Sequence, residues 1–337
     1  MTDRKGFQKL VATHRGELLA HCYRFTGSLH DAEDMVQETF LRAWRAVDRF
    51  EGRSSLRNWL YRIATNVCLN AAERKANSRR LFPEDVRGPT TRMPEGSPSV
   101  DTPWIEPLPD SILDNVSDTA PGPAARYEMR ETIRLAFVAA TQRLPARQRA
   151  VLLLRDVLGW SAIETAKALS MSVASVTSAL QRARSTLNKG VSVDEVDESA
   201  ADKDDHRSIA DEYAKAWERA DLDGFISLLA KDASLVMPPW NEWYSGRTAI
   251  RSFFGWAFDW IWNAGKCGQI RMVSTRANGQ IALATYILRR GSRKSAKLHA
   301  HGLQVLTLRR GRIQRVTIFV GSRFFKKFGM AEKLSSA

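Results

Sequence analysis

The stretch from Leu144 to Leu187, LPARQRAVLLLRDVLGWSAIETAKALSMSVASVTSALQRARSTL, decides how the rest of the chain is read. Pro145 stops a helical stripe made by Ile133, Phe137, Ala140 and Leu144, and a new helix from about Ala146 carries Val151, Leu152 and Leu154. Ser161 is placed to cap a helix with Ile163, Ala166 and Leu169 inward. Met171-Ser172 then makes a turn, and Val173 opens a longer helix with Val176, Leu180, Ala183 and Leu187 inward. That is a helix-turn-helix pattern. The outward residues of its second helix, Ser175, Thr177, Ser178, Gln181, Arg182 and Arg184, are small hydroxyls first and basic side chains later, a surface that suits a major groove with arginines on the phosphates. Periodicity by itself leaves a plain tight helical hairpin as the other reading.

Working back toward the start, Ser28 is set to cap a helix whose first turn holds Asp31. Val36, Phe40, Ala43 and Val47 recur at helical spacing and leave Asp31, Asp34, Gln37, Glu38 and Arg42 outside the stripe. An acidic face in a basic protein reads either as a docking surface for a basic protein or as a solvated face. The next helix begins near Leu56, with Leu60, Ile63, Val67 and Ala71 inward and Arg57, Asn58, Arg62, Asn66, Asn70 and Arg74 on other faces. Arginines with amides suit phosphates and base edges. Trp59 and Tyr61 read either as stacking platforms for single-stranded DNA or as core. Between these helices, Phe50 to Ser55 is a short loop whose Gly52 allows close approach of a ligand.

DAEDMVQETFLRAW (Asp31 to Trp44) followed by LRNWLYRIATNVCLNAAER (Leu56 to Arg74) resembles region 2 of sigma-70-type factors, the compact extracytoplasmic-function group in particular. Leu144 to Leu187 resembles region 4 of the same factors, including its terminal RAR. The resemblance implies that Asp31, Asp34, Gln37 and Glu38 contact core RNA polymerase. It implies that Arg53, Ser54, Ser55, Arg62, Asn66, Asn70 and Arg74 read and melt the −10 promoter element. The −35 element would fall to Ser175, Thr177, Ser178, Gln181, Arg182 and Arg184.

The chain has 337 residues and a formal charge of +14, which fits several domains and an acidic partner, either nucleic acid or an anionic membrane. No apolar run is long enough to cross a bilayer and the start is polar, so a cytoplasmic protein with no membrane partner is expected. Cys22, Cys68 and Cys267 lack the spacing of a metal site or a disulfide scaffold and read as small buried hydrophobes; no metal and no cofactor are expected.

Composition breaks divide the chain into a helical region 2 bundle (1–80), a proline-rich acidic linker (81–125), the region 4 helix-turn-helix (126–190), an acidic tether (191–205) and a final α+β segment (206–330). The linker's Trp104, Ile105, Pro107 and Leu108 read as a regulatory contact rather than as plain tether, and by the resemblance the segment threads toward the polymerase cleft. In the last segment, helices over Ile209 to Trp217, Leu222 to Leu229 and Ala249 to Trp260 precede strands over Ile270 to Ala277, Ile281 to Arg289, Leu298 to Leu308 and Ile313 to Val320. Asn278-Gly279 and Arg310-Gly311 are the hairpin turns. This order predicts an α+β cone, and Met237 to Phe254 (MPPWNEWYSGRTAIRSFF) resembles SnoaL-like domains of the cystatin-like fold. Trp240, Trp243, Tyr244, Trp256, His299 and His301 are the candidates for a pocket, with Asp259 a further titratable group. Two histidines on one strand face without a placed carboxylate are not a catalytic pair, so the expected role is not enzymatic. A sigma factor whose last domain regulates it, through intramolecular contact, a small ligand or a regulatory protein, is the reading that covers the chain. The alternatives are a helix-turn-helix regulator with a ligand-binding domain and a SnoaL-type isomerase with a DNA-binding appendage.

Overall fold

The protein is described by a computed structural model covering residues 4–50, 52, 54–74, 79–95, 98–99, 101–114, 131–190, 203–259, 267–289 and 297–335. It divides into two compact units. One comprises Met1–Arg80 with Ile105–Val193, and the other Leu81–Trp104 with Asp194–Ala337.

The first unit is all-helical: α1 (Arg4–Thr26), α2 (Leu29–Ala46), α3 (Leu56–Arg74), α4 (Ser111–Asp114), α5 (Leu135–Gln142), α6 (Ala146–Leu152), α7 (Ala162–Leu169) and α8 (Val173–Gly190). The capping expectations hold. Ser28 Oγ accepts from Asp31 N at the start of α2, and Ser161 with Glu164 forms a reciprocal capping box on α7. Val36, Phe40 and Ala43 are buried as expected, and α3 buries a broader face than its predicted stripe, including Trp59, Leu60, Tyr61, Ala64 and Val67. Trp59 and Tyr61 are therefore core, not stacking platforms. Tyr61 donates to the buried Glu17 Oε2 at 3.1 Å, and Arg57 Nε donates to the same oxygen at 2.7 Å.

What joins the two helical segments is polar. Gly27, at φ +68°, turns the chain out of α1 and leaves the last carbonyls of that helix without helical partners. Gln142 Nε2 and Arg149 Nη1 both donate to Phe25 O, while Thr141 Oγ1, whose proton goes to Val138 O at 2.8 Å, lies 3.3 Å from Arg24 O. Arg149 also donates to Thr141 O (2.9 Å), Gln142 O (3.1 Å), Leu144 O (3.1 Å) and Gln142 Oε1 (3.0 Å). One guanidinium thus spans the negative ends of α1 and α5, so the two helix dipoles compensate its burial. Desolvation lowers its pKa to about 10, which still leaves it charged at neutral pH.

The second unit contains the helices α9 (Lys203–Arg219), α10 (Leu222–Leu228) and α11 (Gly246–Phe258), a few residues off the expected bounds; two strands separate α10 from α11, where the sequence reading puts all three helices before the sheet. Its sheet runs β2-β1-β6-β5-β4-β3, with β7 paired to β5. The strands are β1 (Leu229–Val236), β2 (Trp243–Ser245), β3 (Cys267–Ala277), β4 (Gln280–Arg289), β5 (Lys297–Arg309), β6 (Arg312–Val320) and β7 (Lys333–Ser335). The pairs are antiparallel except β1 with β6. Asn278-Gly279 and Arg310-Gly311 have positive φ at both positions, the geometry that matches strand twist in a two-residue hairpin. β1, β2 and β7 escaped the sequence reading because β1 mixes charged and apolar residues and the other two are only three residues long. Helices and sheet close on an aromatic core in which Trp217, Phe225, Phe254 and Phe258 pack edge to face or tilted against one another. Among the described residues no helix is long and apolar enough to cross a membrane.

Replacing Arg149 with Met is expected to lower unfolding stability of the helical unit by about 3 kcal/mol, since several buried carbonyls lose their donor; chemical denaturation of the two proteins measures it. His21, wholly buried, hydrogen-bonds Thr65 Oγ1 at 2.9 Å, and Thr65 donates its own proton to Tyr61 O, so the imidazole is the neutral donor. Desolvation pushes its pKa down to about 3 from an ordinary 6.5. The unfolded chain takes up this proton near pH 6.5 and the fold does not, so the stability is present above that pH and is lost as pH falls toward 3. The expected slope is up to about 1.4 kcal/mol per pH unit. His21→Gln should be measurably less acid-sensitive than the parent between pH 6 and about 4.5 in urea melts.

Candidate functional site

On α2, Asp34 and Gln37 are exposed and Glu38 is half-buried, its Oε1 accepting from Arg42 Nε at 2.7 Å. Asp31 is instead engaged by Arg80 Nη2 at 2.8 Å. Sequence reasoning missed the apolar part of this face. Leu41 and Trp44 are 52% and 46% exposed, one and two turns beyond Gln37, and Trp44 has Phe7 edge-on at 4.8 Å. Helical spacing from Asp34 would have placed them there; reading only the charges did not.

Ser55 starts α3 by accepting from Asn58 N, and Ser54 beside it is exposed. Gly52 adopts φ +69° with open space around it, as close approach of a ligand requires. Arg53 lies outside the described residues. Arg62, Asn70 and Arg74 project from α3 into solvent, while Asn66 is half-buried with Nδ2 3.5 Å from Ala168 O. On α8, all six expected residues, Ser175, Thr177, Ser178, Gln181, Arg182 and Arg184, are exposed, and Val176, Leu180 and Ala183 are buried. Arg184 makes a two-pronged pair with Asp156 (2.9 and 2.7 Å), which fixes its direction along the helix. A surface groove runs past Thr177, Gln181 and Arg184 to Ser185 and Asn188, adding two residues one turn further on.

The linker parts between two neighbouring residues. Ile105, Pro107 and Leu108 are buried in the helical unit, where Glu106 Oε2 accepts from Ser28 Oγ and Leu29 N at the start of α2 and Tyr23 donates to Glu106 O. Trp104 is buried in the other unit, with its indole donating to Ser99 O. There the whole preceding stretch is docked. Arg315 of β6 pairs with Glu84 and lies over the Phe82 ring at 4.9 Å. Arg87 pairs with Glu242 at 2.9 Å, Trp243 Nε1 donates to Arg87 O, Tyr244 OH donates to Arg92 O, and Ser99 N donates to Pro239 O. The six pocket candidates thus do not converge. Trp243 and Tyr244 hold the chain's own linker, Trp240 packs half-buried on the core, Trp256 is 40% exposed on α11, and His299 and His301 are exposed on β5.

Inside the cone, Tyr213 donates to Gln304, Gln304 Nε2 donates to Thr285 Oγ1 at 3.0 Å, and Thr285 reaches Met272 Sδ at 3.3 Å. Burial drives the Tyr213 phenol far above its ordinary range. Among the described residues no group of three or more His, Cys, Asp or Glu is placed to hold a metal.

Comparison with known families matches sigma-70 region 2 to residues 10–78, sigma-70 region 4 to 134–187, and a SnoaL-like domain to 210–316. The chain is 42% identical over 338 residues to the ECF RNA polymerase sigma factor SigG of Mycobacterium tuberculosis, covering 98% of this chain and 86% of that one. The chain belongs to the extracytoplasmic-function sigma factors. SigW of Bacillus subtilis is 29% identical over 56% of the chain and 89% of its own length. The crystal structure of the Mycobacterium tuberculosis extracytoplasmic function sigma factor SigJ shares the fold, with a TM-score of 0.60 at 20% identity over 96% of this chain and 99% of that one.

In this sigma factor the docked linker is the part sequence could not locate, because its partner, Arg315, is one of many surface-type arginines until the fold sets it beside Glu84. Arg315→Leu is expected to speed tryptic cleavage after Arg87 and Arg92 roughly tenfold, the effect of about 1.4 kcal/mol of lost local stability. An unchanged rate would show that the remaining hydrogen bonds suffice to hold the segment.

Proposed function

We propose that this sigma factor meets core RNA polymerase through the α2 face, where Asp34, Gln37 and Glu38 flank the exposed Leu41 and Trp44. Carboxylates around an apolar centre supply both steering and buried area, and rim charge without such a centre gives little affinity. Ser54 to Arg74 then serve the −10 element and α8 the −35 element, in the cytoplasm where polymerase and promoter meet.

The helical unit reads as a resting form. The two promoter elements lie some two turns of duplex apart, on the order of 70 Å, whereas α3 and the helix-turn-helix here share one compact body joined through Arg149 and Asn66. Separation is required before both elements can be held. The C-terminal unit is placed to govern that step because residues 81–104, half of the connection between the two promoter-binding regions, belong to it. That single observation carries the regulatory reading. A catalytic role is not favoured: the cone interior holds neutral, mutually hydrogen-bonded side chains, and its buried tyrosine does not titrate near neutral pH.

Reconstituted transcription on genomic fragments tests both parts. Specific initiation should require the added protein, and Gln181→Ala with Arg182→Ala should reduce it at least tenfold, as loss of about 1.4 kcal/mol or more of DNA contact predicts. Cutting the chain after Lys189, or Arg315→Leu in the full chain, should shift activity in the same direction. Equal activity of all three would count against regulation by the last domain, and no initiation by any of them would count against the sigma role of the mapped surfaces.

A further inference from the structure

The chain's basic charge is not confined to its sigma regions: residues 1–80 and 126–190 carry net +6 and +7, which the acidic linker and tether almost cancel. Between His206 and Ala337 there are 22 Lys and Arg against 9 Asp and Glu, so this part carries +13 of the chain's +14 and the first 205 residues carry only +1. From Trp260 to Ala331 the sequence runs 72 residues with 15 basic side chains and no acid at all.

The sheet topology gathers part of this charge at one end. Lys297 and His299 open β5 and pair with β7, where Lys333 lies opposite His299. The segment after β6 is pinned to the same end: Gly321 N donates to His301 O, Phe325 sits edge-on to Tyr286 at 5.2 Å, and Tyr286 OH donates to Ala331 O. With Phe324 and Phe325 buried, Arg323, Lys326 and Lys327 are held outward. Lys297, His299, His301, Arg323, Lys326, Lys327 and Lys333 are all exposed on this rim. Among the described residues Lys297, Arg323, Lys326 and Lys333 have no ion-pair partner. Solvated lysines alone would be unremarkable, but the run from Trp260 to Ala331 holds no carboxylate, and Glu332, exposed beside Lys333, is the one acid at this rim among the described residues.

We infer that this rim of the SnoaL-like domain is a third DNA contact, binding the phosphate backbone of duplex DNA without reading its sequence. No large apolar side chain is exposed beside it, the described exposed ones being Leu41, Trp44, Val86, Ile163, Val173 and Trp256, so the surface offers charge without the anchor that stable membrane binding needs. The inference rests on the sigma reading in one respect: a weak phosphate contact becomes effective when other parts of the same chain hold the duplex nearby.

The test uses the full chain with a labelled random-sequence duplex of about 30 base pairs, long enough to span several helical turns, followed by fluorescence anisotropy across a salt series. The parent should bind with a steep salt dependence. The variant with Lys297, Arg323, Lys326 and Lys333 each changed to Gln should bind at least tenfold more weakly near 100 mM salt, with a log–log slope shallower by about 3, as loss of three or four phosphate contacts requires. Identical slopes in the two proteins would overturn the inference. Capture by phosphatidylglycerol vesicles that duplex cannot displace would overturn it too, in favour of a membrane. Initiation by the same variant with core polymerase at low salt should persist, so that failure of the sigma reading is seen separately.

Discussion

Arg149 is the interaction on which the helical unit depends. A guanidinium has no way to lose its charge in the fold and must be given acceptors or left in water. Here the acceptors are carbonyls that helices cannot satisfy themselves, those at the ends of α1 and α5. The two promoter-binding regions become one body through groups that each would otherwise leave unpaired. Because no carboxylate takes part in that cluster, the clasp is directional and dry without being a salt bridge, and it can be exchanged for water when the regions part.

The linker adds a second constraint of a different kind. Trp104 and Ile105 are consecutive residues, yet each is buried in a different unit. On the helical side Glu106 places a carboxylate at the amino end of α2, where the backbone N–H groups and the dipole favour it. On the other side Glu84 and Phe82 share Arg315. The connection between the two regions is thus consumed by packing at both ends, and any rearrangement of the regions has to act on one of these anchorages.

The SnoaL-like domain divides its polar side chains between a self-partnered interior and an exposed exterior. Its interior spends Tyr213, Gln304 and Thr285 on one another, while of the aromatic pocket candidates Trp240 packs on the core, Trp243 and Tyr244 hold the linker and Trp256 is exposed. Its described exterior, by contrast, exposes basic side chains such as Lys297, Arg323, Lys326 and Lys333.

Apart from α1, which the sequence reading did not delimit, and Ile163, expected inward but 58% exposed, periodicity and caps by themselves determined the helical segments, the helix-turn-helix and the hairpin turns. Each is set by local rules, a serine before an apolar stripe or a residue pair that tolerates positive φ, that need no distant partner. The outward face of α8 followed for the same reason, since burial of Val176, Leu180 and Ala183 leaves only one way for Gln181 and Arg182 to point. Tertiary structure alone decided which polar residues are structural. Tyr61 and Arg149 have the composition of ligand-binding side chains and are buried among carboxylate or carbonyl oxygens. Trp243 and Tyr244 look like pocket walls and hold the chain's own backbone. The reason is that a polar side chain takes its meaning from its partner, and those partners lie 44 residues from Tyr61, 124 from Arg149 and 156 from Trp243 along the chain.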